Sequence, residues 1–194
     1  MMQGSGAKNY KQIGEEVWKR TEKINGDFFA LTYGVFVAQL LKDLEDPHAV
    51  NVQLDKMGYS MGIRLIDELL AKTGVGRCTD FRETAEIIKL AFRIFLNVIP
   101  GVVVNDDQEL TISMPIEGDA LGSEFVELPE KAIKGGLHYS NILCGVIRGA
   151  LEMVRMQVEC TITGDPLLNA SCTTTDVKVK FVKLLEENLP SNDD

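Results

Sequence analysis

The residues at 74–83 constrain the fold of this chain most, because they join two long apolar segments with the pattern of helices. These segments cover residues 51–73 and 81–98. Gly74 can end the first helix, since glycine takes the left-handed C-terminal position without steric cost. Asp80, with Glu83 three residues later, is a capping-box pattern that starts the second helix. The sequence therefore predicts two buried helices joined by a short loop.

Cys78 lies in this loop, beside Arg77 and just before the predicted helix N-terminus. Both features favour a thiolate and hence a more reactive sulfur. From the residues alone, Cys78 could carry a covalent group, act as a catalyst or be an ordinary helix-end residue. A Cys–His catalytic pair would use Cys78 or Cys144 with His138 as the base. However, Cys144 falls inside a predicted buried helix, and no orienting Asn or Asp stands at a recognisable spacing.

Composition limits the classes of function. The chain has 194 residues, of which 45% are hydrophobic and 25% charged, as expected of one globular domain. Its formal charge of −9 argues against nucleic acid as a partner, and contact with a membrane surface would need a local basic face. We find no signal-peptide pattern, so we expect a cytoplasmic protein whose cysteines (78, 144, 160 and 172) are thiols. His48 and His138 stand apart and no Cys-x-x-Cys occurs, so no zinc site is expected.

The apolar periodicity predicts further helices and strands. We expect an amphipathic helix from Tyr10 to Ile24, a helix over 28–44 that is buried on several sides, and a long helix over 139–156. Strands are expected over 110–114, 157–163 and 174–184, and a loop with a short extended piece over 117–136. Helices followed by a few antiparallel strands make the fold class α+β.

Two pairs of glycines stand four residues apart inside predicted helices. They are Gly58 with Gly62, and Gly145 with Gly149. A glycine in the middle of a helix costs about 1 kcal/mol relative to alanine. The compensation is either close approach of another backbone, which is the more common cause, or space left for a ligand.

Several motifs together resemble the TRAPP family of vesicle-tethering subunits. The resemblance covers about residues 10–190 and agrees best with the acylated small subunits of that family. The matching segments include LTYG at 31–34, LDKMGY at 54–59, GIRLID at 62–67, VGRC at 75–78, DFRET at 80–84, FVELP at 125–129, YSNILCGV at 139–146 and RGALEMV at 148–154. The chain departs from the family pattern at two places. The helix after Cys78 is one residue shorter than in that pattern. Asn-Trp-Ser is absent after Pro100, and this second difference is expected to affect only a loop.

The resemblance implies a helical layer on a twisted antiparallel sheet, with an internal apolar channel. It implies a palmitoyl thioester on Cys78, with the acyl chain buried in that channel, and no catalytic residue or metal. The candidate channel-lining residues, each of which is also a plausible core residue, are Leu65, Leu69, Ala91, Phe95, Ile142 and Val146. The domain is expected to cover 10–190, between a mobile tail at 1–9 and an acidic tail at 191–194.

The resemblance also implies partners and a location. The expected partners are other TRAPP small subunits, a second copy when the chain is alone, and a Rab GTPase whose nucleotide exchange the assembled complex promotes. The expected location is the cytoplasm, peripheral at cis-Golgi and ER membranes in ER-to-Golgi transport. The segment expected near the GTPase comprises Glu187, Asn188, Leu189 and Pro190. The alternative function is a stand-alone lipid-carrier or ligand-sensing domain that uses the same cavity.

Overall fold

A computed structural model describes residues 9–76 and 80–186 of the chain. Cys78 and the four residues predicted to lie near a GTPase, Glu187, Asn188, Leu189 and Pro190, are outside the described residues. The same holds for the tails at 1–8 and 191–194. Asn9, which we assigned to the tail, caps the first helix by accepting a hydrogen bond from the backbone N–H of Gln12.

The described part of the chain forms helices packed on a four-stranded antiparallel sheet, which confirms the predicted α+β class. The strand order is β1-β2-β4-β3. The helices are α1 (Tyr10–Arg20), α2 (Gly26–Leu44), α3 (Pro47–Thr73), α4 (Phe81–Leu96), α5 (Glu130–Lys134) and α6 (Ile142–Met153); the strands are β1 (Gly101–Asp106), β2 (Glu109–Pro115), β3 (Met156–Gly164) and β4 (Thr174–Leu184).

The ends of α3 and α4 follow local capping rules. Gly74 adopts a left-handed conformation (φ 63°) at the C-cap of α3, and its N–H donates to the carbonyl of Leu70. The Asp80 carboxylate accepts from the N–H of Glu83 at 2.6 Å and so starts α4. The prediction missed the start of α3, because it placed the first helical residue at 51 and α3 begins at Pro47. Asp46 is the N-cap there, and proline at the first helical position has no N–H that needs a partner.

The glycine pairs lie where α3 and α6 cross. A Cβ atom on Gly58 would stand 2.0 Å from the carbonyl oxygen of Ile142, and one on Gly62 would stand 2.1 Å from that of Val146. Seen from α6, a Cβ on Gly145 would stand 2.0 Å from the carbonyl oxygen of Asp55. These separations are far inside van der Waals contact, so only glycine permits this approach of the two backbones. The prediction of close backbone packing is confirmed.

The sheet packs its inner face against the helices. Val177 and Val179 of β4 are fully buried, opposite Ile112 and Leu110 of β2, which are also fully buried. Strand β4 has the predicted bounds, and its buried valines alternate with lysines on the opposite face of the strand.

Four predictions about the elements were wrong. The residues after Pro100, predicted as a loop, form strand β1, because the β-branched valines at 102–104 pair with β2. Helix α6 is shorter than the predicted 139–156, since a 3₁₀ turn over Tyr139–Asn141 precedes it and Met156 already belongs to β3. Helix α5 and a 3₁₀ turn (Ser123–Phe125) lie within the predicted loop at 117–136. Ile24 lies beyond α1 and is 74% exposed.

The prediction that α2 is buried on several sides was also wrong. Phe28, Leu31 and Val35 are 68–70% exposed, although Tyr33 and Val37 on the same helix are buried. The apolar surface of α2 therefore exceeds what the described part of the chain covers.

We predict that Gly62→Ala lowers the free energy of unfolding by about 2 kcal/mol, because the new methyl group forces α3 and α6 apart. Urea unfolding would measure the change. The matched control is Gly26→Ala, at a helical glycine whose Cβ would meet nothing within 4 Å. The control should be neutral or slightly stabilising. Equal midpoints for the two variants would contradict the role of the close approach.

Candidate functional site

An apolar cavity of about 320 Å³ lies between α2, α3, α4 and α6. Its wall is almost entirely hydrocarbon, and the polar side chains in it are those of Thr32 and Tyr33. Such a wall can hold an aliphatic or aromatic group, and it has little to bind a charged one.

The structure brings all six predicted channel residues onto the wall of this one cavity. Leu65 and Leu69 come from α3, Ala91 and Phe95 from α4, and Ile142 and Val146 from α6. They converge because α3 and α6 cross at the glycine pairs, while the strongly amphipathic α4 turns its apolar face towards them. Contact of these residues with an acyl chain stays a prediction.

Sequence reasoning missed the contribution of α2. This helix contributes Phe29, Thr32, Tyr33 and Phe36 to the wall. Their spacing of three, one and three residues places them on one helix face, which is a signal that the sequence does contain. It was hidden because Phe28, Leu31 and Val35 make most of the helix circumference apolar.

The cavity is elongated along α3. The residues of α3 that line it run from Met57 to Leu69, which corresponds to about 18 Å at 1.5 Å per residue. The Leu69 end is nearer to Gly74, where the chain leaves α3 and continues towards Cys78.

An empty cavity of this size would be costly. At about 24 cal/mol per Å³, a fully enclosed void of about 320 Å³ would lower the free energy of unfolding by about 8 kcal/mol. This value is an upper limit here, because the exposed residues Thr32 and Met61 line the cavity. A whole domain is typically stable by only about 5–15 kcal/mol. An apolar ligand that fills the cavity would therefore stabilise the folded protein.

Two of the described cysteines are poorly suited to thiol chemistry. Burial raises the pKa of the Cys144 thiol to about 12, and burial likewise raises the pKa of Cys160. Cys144 is 1% exposed. At neutral pH both stay protonated, and a protonated thiol is a weak nucleophile.

His138, the base of the Cys–His pair considered above, has a carboxylate and an amide as its partners. Its Nδ1 lies 2.8 Å from Oδ2 of the buried Asp165, and its backbone N–H donates to the Asn51 side chain. Asn51 stands near the start of α3, about 33 Å along the helix from its end at Thr73. The imidazole thus lies at the opposite end of α3 from the segment that leads to Cys78.

Neither a metal centre nor a membrane span is found in the described ranges. Residues 9–76 and 80–186 contain no group of three or more His, Cys, Asp or Glu side chains that could hold a metal ion. Among the helices described here, none is long and apolar enough to cross a bilayer.

Comparison with known proteins yields a consistent set of relatives. The family model "Transport protein particle (TRAPP) component" matches residues 29–180. The chain is 48% identical to the trafficking protein particle complex subunit 3 of Dictyostelium discoideum over 185 residues, which covers 95% of this chain and 97% of the relative. It is 42% identical to the trafficking protein particle complex subunit BET3 of Saccharomyces cerevisiae over the full length of both.

A solved structure is also similar. It is the crystal structure of a trafficking protein particle complex subunit 3 from Naegleria fowleri covalently bound to palmitic acid. The TM-score is 0.78 at 46% sequence identity, and the match covers 86% of this chain and all of the other.

We predict that Ala91→Leu stabilises the lipid-free protein by about 1–2 kcal/mol, because the added carbons fill part of an apolar void. The matched control is Ala85→Leu, on the same helix. Ala85 is 3% exposed and does not line the cavity, so overpacking should destabilise that variant by about 1–3 kcal/mol. Thermal unfolding would measure both changes. Changes of the same sign would mean that Ala91 does not face open space.

Proposed function

Because the chain belongs to the TRAPP family of trafficking-complex components, we propose that it is a non-catalytic subunit that carries palmitate on Cys78, with the acyl chain in the cavity. The cavity is the observation that carries this proposal, since its size makes an apolar occupant favourable. The relative from Naegleria fowleri, which is covalently bound to palmitic acid, supports the choice of occupant.

The dimensions of the cavity suit an acyl chain of this length. Carbon–carbon bonds of about 1.5 Å in a zigzag advance about 1.25 Å each, so an extended sixteen-carbon chain is about 19 Å long. The cavity wall extends about 18 Å along α3. Burial of the chain contributes about 11 kcal/mol gross, at about 0.8 kcal/mol per methylene. This gain is of the same order as the cost of an enclosed void of that size, and it needs no polar partner.

The chemistry at Cys78 is an exchange of thioesters. The sulfur attacks the acyl carbonyl of a donor such as palmitoyl-coenzyme A, a new carbon–sulfur bond forms, and the bond to the coenzyme sulfur breaks. The proton lost by Cys78 ends on the released coenzyme thiol, so no oxidant is needed. Arg77 and the N-terminus of α4, which begins at Phe81, favour the thiolate. Cys144 and Cys160, whose pKa values burial raises, compete poorly for the acyl group.

The exposed face of α2 supports assembly with other TRAPP subunits. Phe28, Leu31, Val35 and Ala38 follow one another at spacings of three and four residues, and all are exposed. This is the repeat with which one helix packs along another. We propose that this face binds a second copy when the chain is alone and a TRAPP small subunit in the complex.

Charge favours an antiparallel arrangement of two copies. Asp27 stands at the N-terminal end of the stripe and Lys42 at its C-terminal end, and both are exposed. In an antiparallel pair each aspartate lies near the lysine of the other copy, and the helix dipoles oppose each other.

Membership of the family supports a proposal for where the complex acts in the cell. We propose that the subunit acts in ER-to-Golgi transport, peripheral at cis-Golgi and ER membranes, in a complex that tethers vesicles and promotes nucleotide exchange on a Rab GTPase. Its C-terminal residues Glu187, Asn188, Leu189 and Pro190, which follow β4 in the chain, are our candidates for the part near the GTPase. Deleting them should lower exchange by the complex while leaving its assembly intact.

We predict that protein incubated with palmitoyl-coenzyme A gains the mass of one palmitoyl group and loses it again in hydroxylamine, which cleaves thioesters. Intact mass spectrometry would measure both steps. Cys78→Ser should gain no mass and should melt below the acylated wild type, whereas Cys172→Ser should behave like wild type. Lipid that copurifies but is removed by organic extraction alone would favour the lipid-carrier alternative. Acylation that survives in Cys78→Ser would contradict the site.

We predict that Leu31→Glu turns the isolated protein from a dimer into a monomer, because a buried carboxylate at the centre of the stripe has no partner. Sedimentation velocity would measure the change. The matched control is Val103→Glu, which makes a similar substitution at a residue that is 62% exposed on β1. If wild type is already a monomer at micromolar concentration, the proposed self-association is wrong.

A further inference from the structure

We infer that Tyr33, held by Tyr139, closes the end of the cavity remote from Cys78 and so sets the longest acyl chain that the protein accepts. This inference rests on the proposed function, since it assigns a chain-length limit to the same cavity. It follows from the relative direction of two helices, α3 and α6, and from two buried hydroxyl groups.

The glycine crossing fixes which ends of α3 and α6 lie together. Gly58 contacts the carbonyl of Ile142, and Gly62, one turn later, contacts that of Val146. The two helices therefore run in the same direction, and the start of α6 lies level with the Met57 end of the cavity. Tyr139 immediately precedes α6, so it stands at that end. The Leu69 end, from which the chain leads to Cys78, is the opposite one.

Tyr33 lies against Tyr139 at this remote end. The Tyr33 ring lines the cavity and is 6% exposed. It meets the Tyr139 ring edge-on, with 4.9 Å between the ring centroids. The Tyr33 hydroxyl donates to the carbonyl oxygen of Tyr139 at 2.5 Å, and the Tyr139 hydroxyl donates to that of Leu121 at 3.2 Å. Leu121 is itself part of the cavity wall.

The two hydrogen bonds make this end of the cavity rigid. Moving either ring outward would leave a hydroxyl and a carbonyl buried without partners, which is strongly unfavourable. Burial raises the pKa of Tyr139 to about 12, so its hydroxyl remains a donor at neutral pH. A flexible methionine such as Met57 can yield to a longer ligand, but a ring that is bonded to the backbone cannot.

A rigid end gives a sharp limit on chain length. Each methylene that the cavity buries favours binding by about fourfold, so two methylenes amount to about fifteenfold. A chain that reaches Tyr33 gains nothing from further carbons, and those carbons must bend or displace the ring. Chains of fourteen and sixteen carbons should therefore be retained, while those of eighteen and twenty carbons should be disfavoured.

The test is competition between saturated acyl-coenzyme A thioesters of twelve to twenty carbons, read out by the intact mass of the acylated protein. Tyr33→Ala opens the remote end and should raise the ratio of eighteen- to sixteen-carbon product by about fifteenfold. Met57→Trp fills the same end and should shift the product towards twelve and fourteen carbons. Leu54→Ala, the matched control, removes a fully buried side chain of α3 that does not line the cavity and should leave the ratio unchanged. Should Tyr33→Ala fail to fold, Tyr33→Phe, which removes only the hydroxyl, and Met57→Trp still provide the test.

Two results would overturn the inference. One is an unchanged chain-length profile in all the acylated variants. The other is acylation of the wild type by twenty-carbon chains as readily as by sixteen-carbon chains. That result is expected if a long chain leaves the cavity sideways between Thr32 and Met61, which line the cavity and are exposed. In both cases the thioester still forms and the proposed function stands. If no variant and no wild type is acylated at all, the proposed function itself fails.

Discussion

The contact between α3 and α6 is the constraint on which the rest of this structure depends. Glycines on both helices allow carbonyl groups to occupy the space where side chains would otherwise stand. The two backbones are thereby held in one register, with little freedom to slide or rotate. Because α6 also packs on β3, this crossing connects the helical layer to the sheet. The tight crossing and the cavity beside it are two consequences of one arrangement, since α3 and α6 both turn other faces towards α2 and α4.

A hollow interior changes what stabilises the protein. Most domains close their cores with their own side chains, whereas this one leaves about 320 Å³ between four helices. The cost of an enclosed void of that size would be comparable to the stability of a domain, so an apolar occupant would act as part of the core. An acyl chain in this role is not available to anchor the protein in a bilayer. Acylation as proposed above would thus complete the core rather than attach the protein to a membrane.

Helix α2 has two roles that a single helix rarely combines. One face, with Phe29, Tyr33 and Phe36, lines the cavity, and a neighbouring face presents Phe28, Leu31 and Val35 to solvent. An exposed apolar stripe of this kind usually marks an interaction surface. The same helix therefore borders the cavity on one side and presents the surface proposed for a partner on another.

The sequence by itself determined the features that depend on a few neighbouring residues. Gly74 and Asp80 define the ends of α3 and α4, the alternation at 174–184 defines β4, and the motifs around Cys78 identify the family. Only the tertiary structure decided which side chains meet across distant elements. It alone showed that β1 pairs with β2 and that His138 binds Asp165. It also showed that α2 lines the cavity on one face and is exposed to solvent on another. The reason is physical: capping and periodicity act over a few residues, whereas burial depends on what the rest of the chain places against each face.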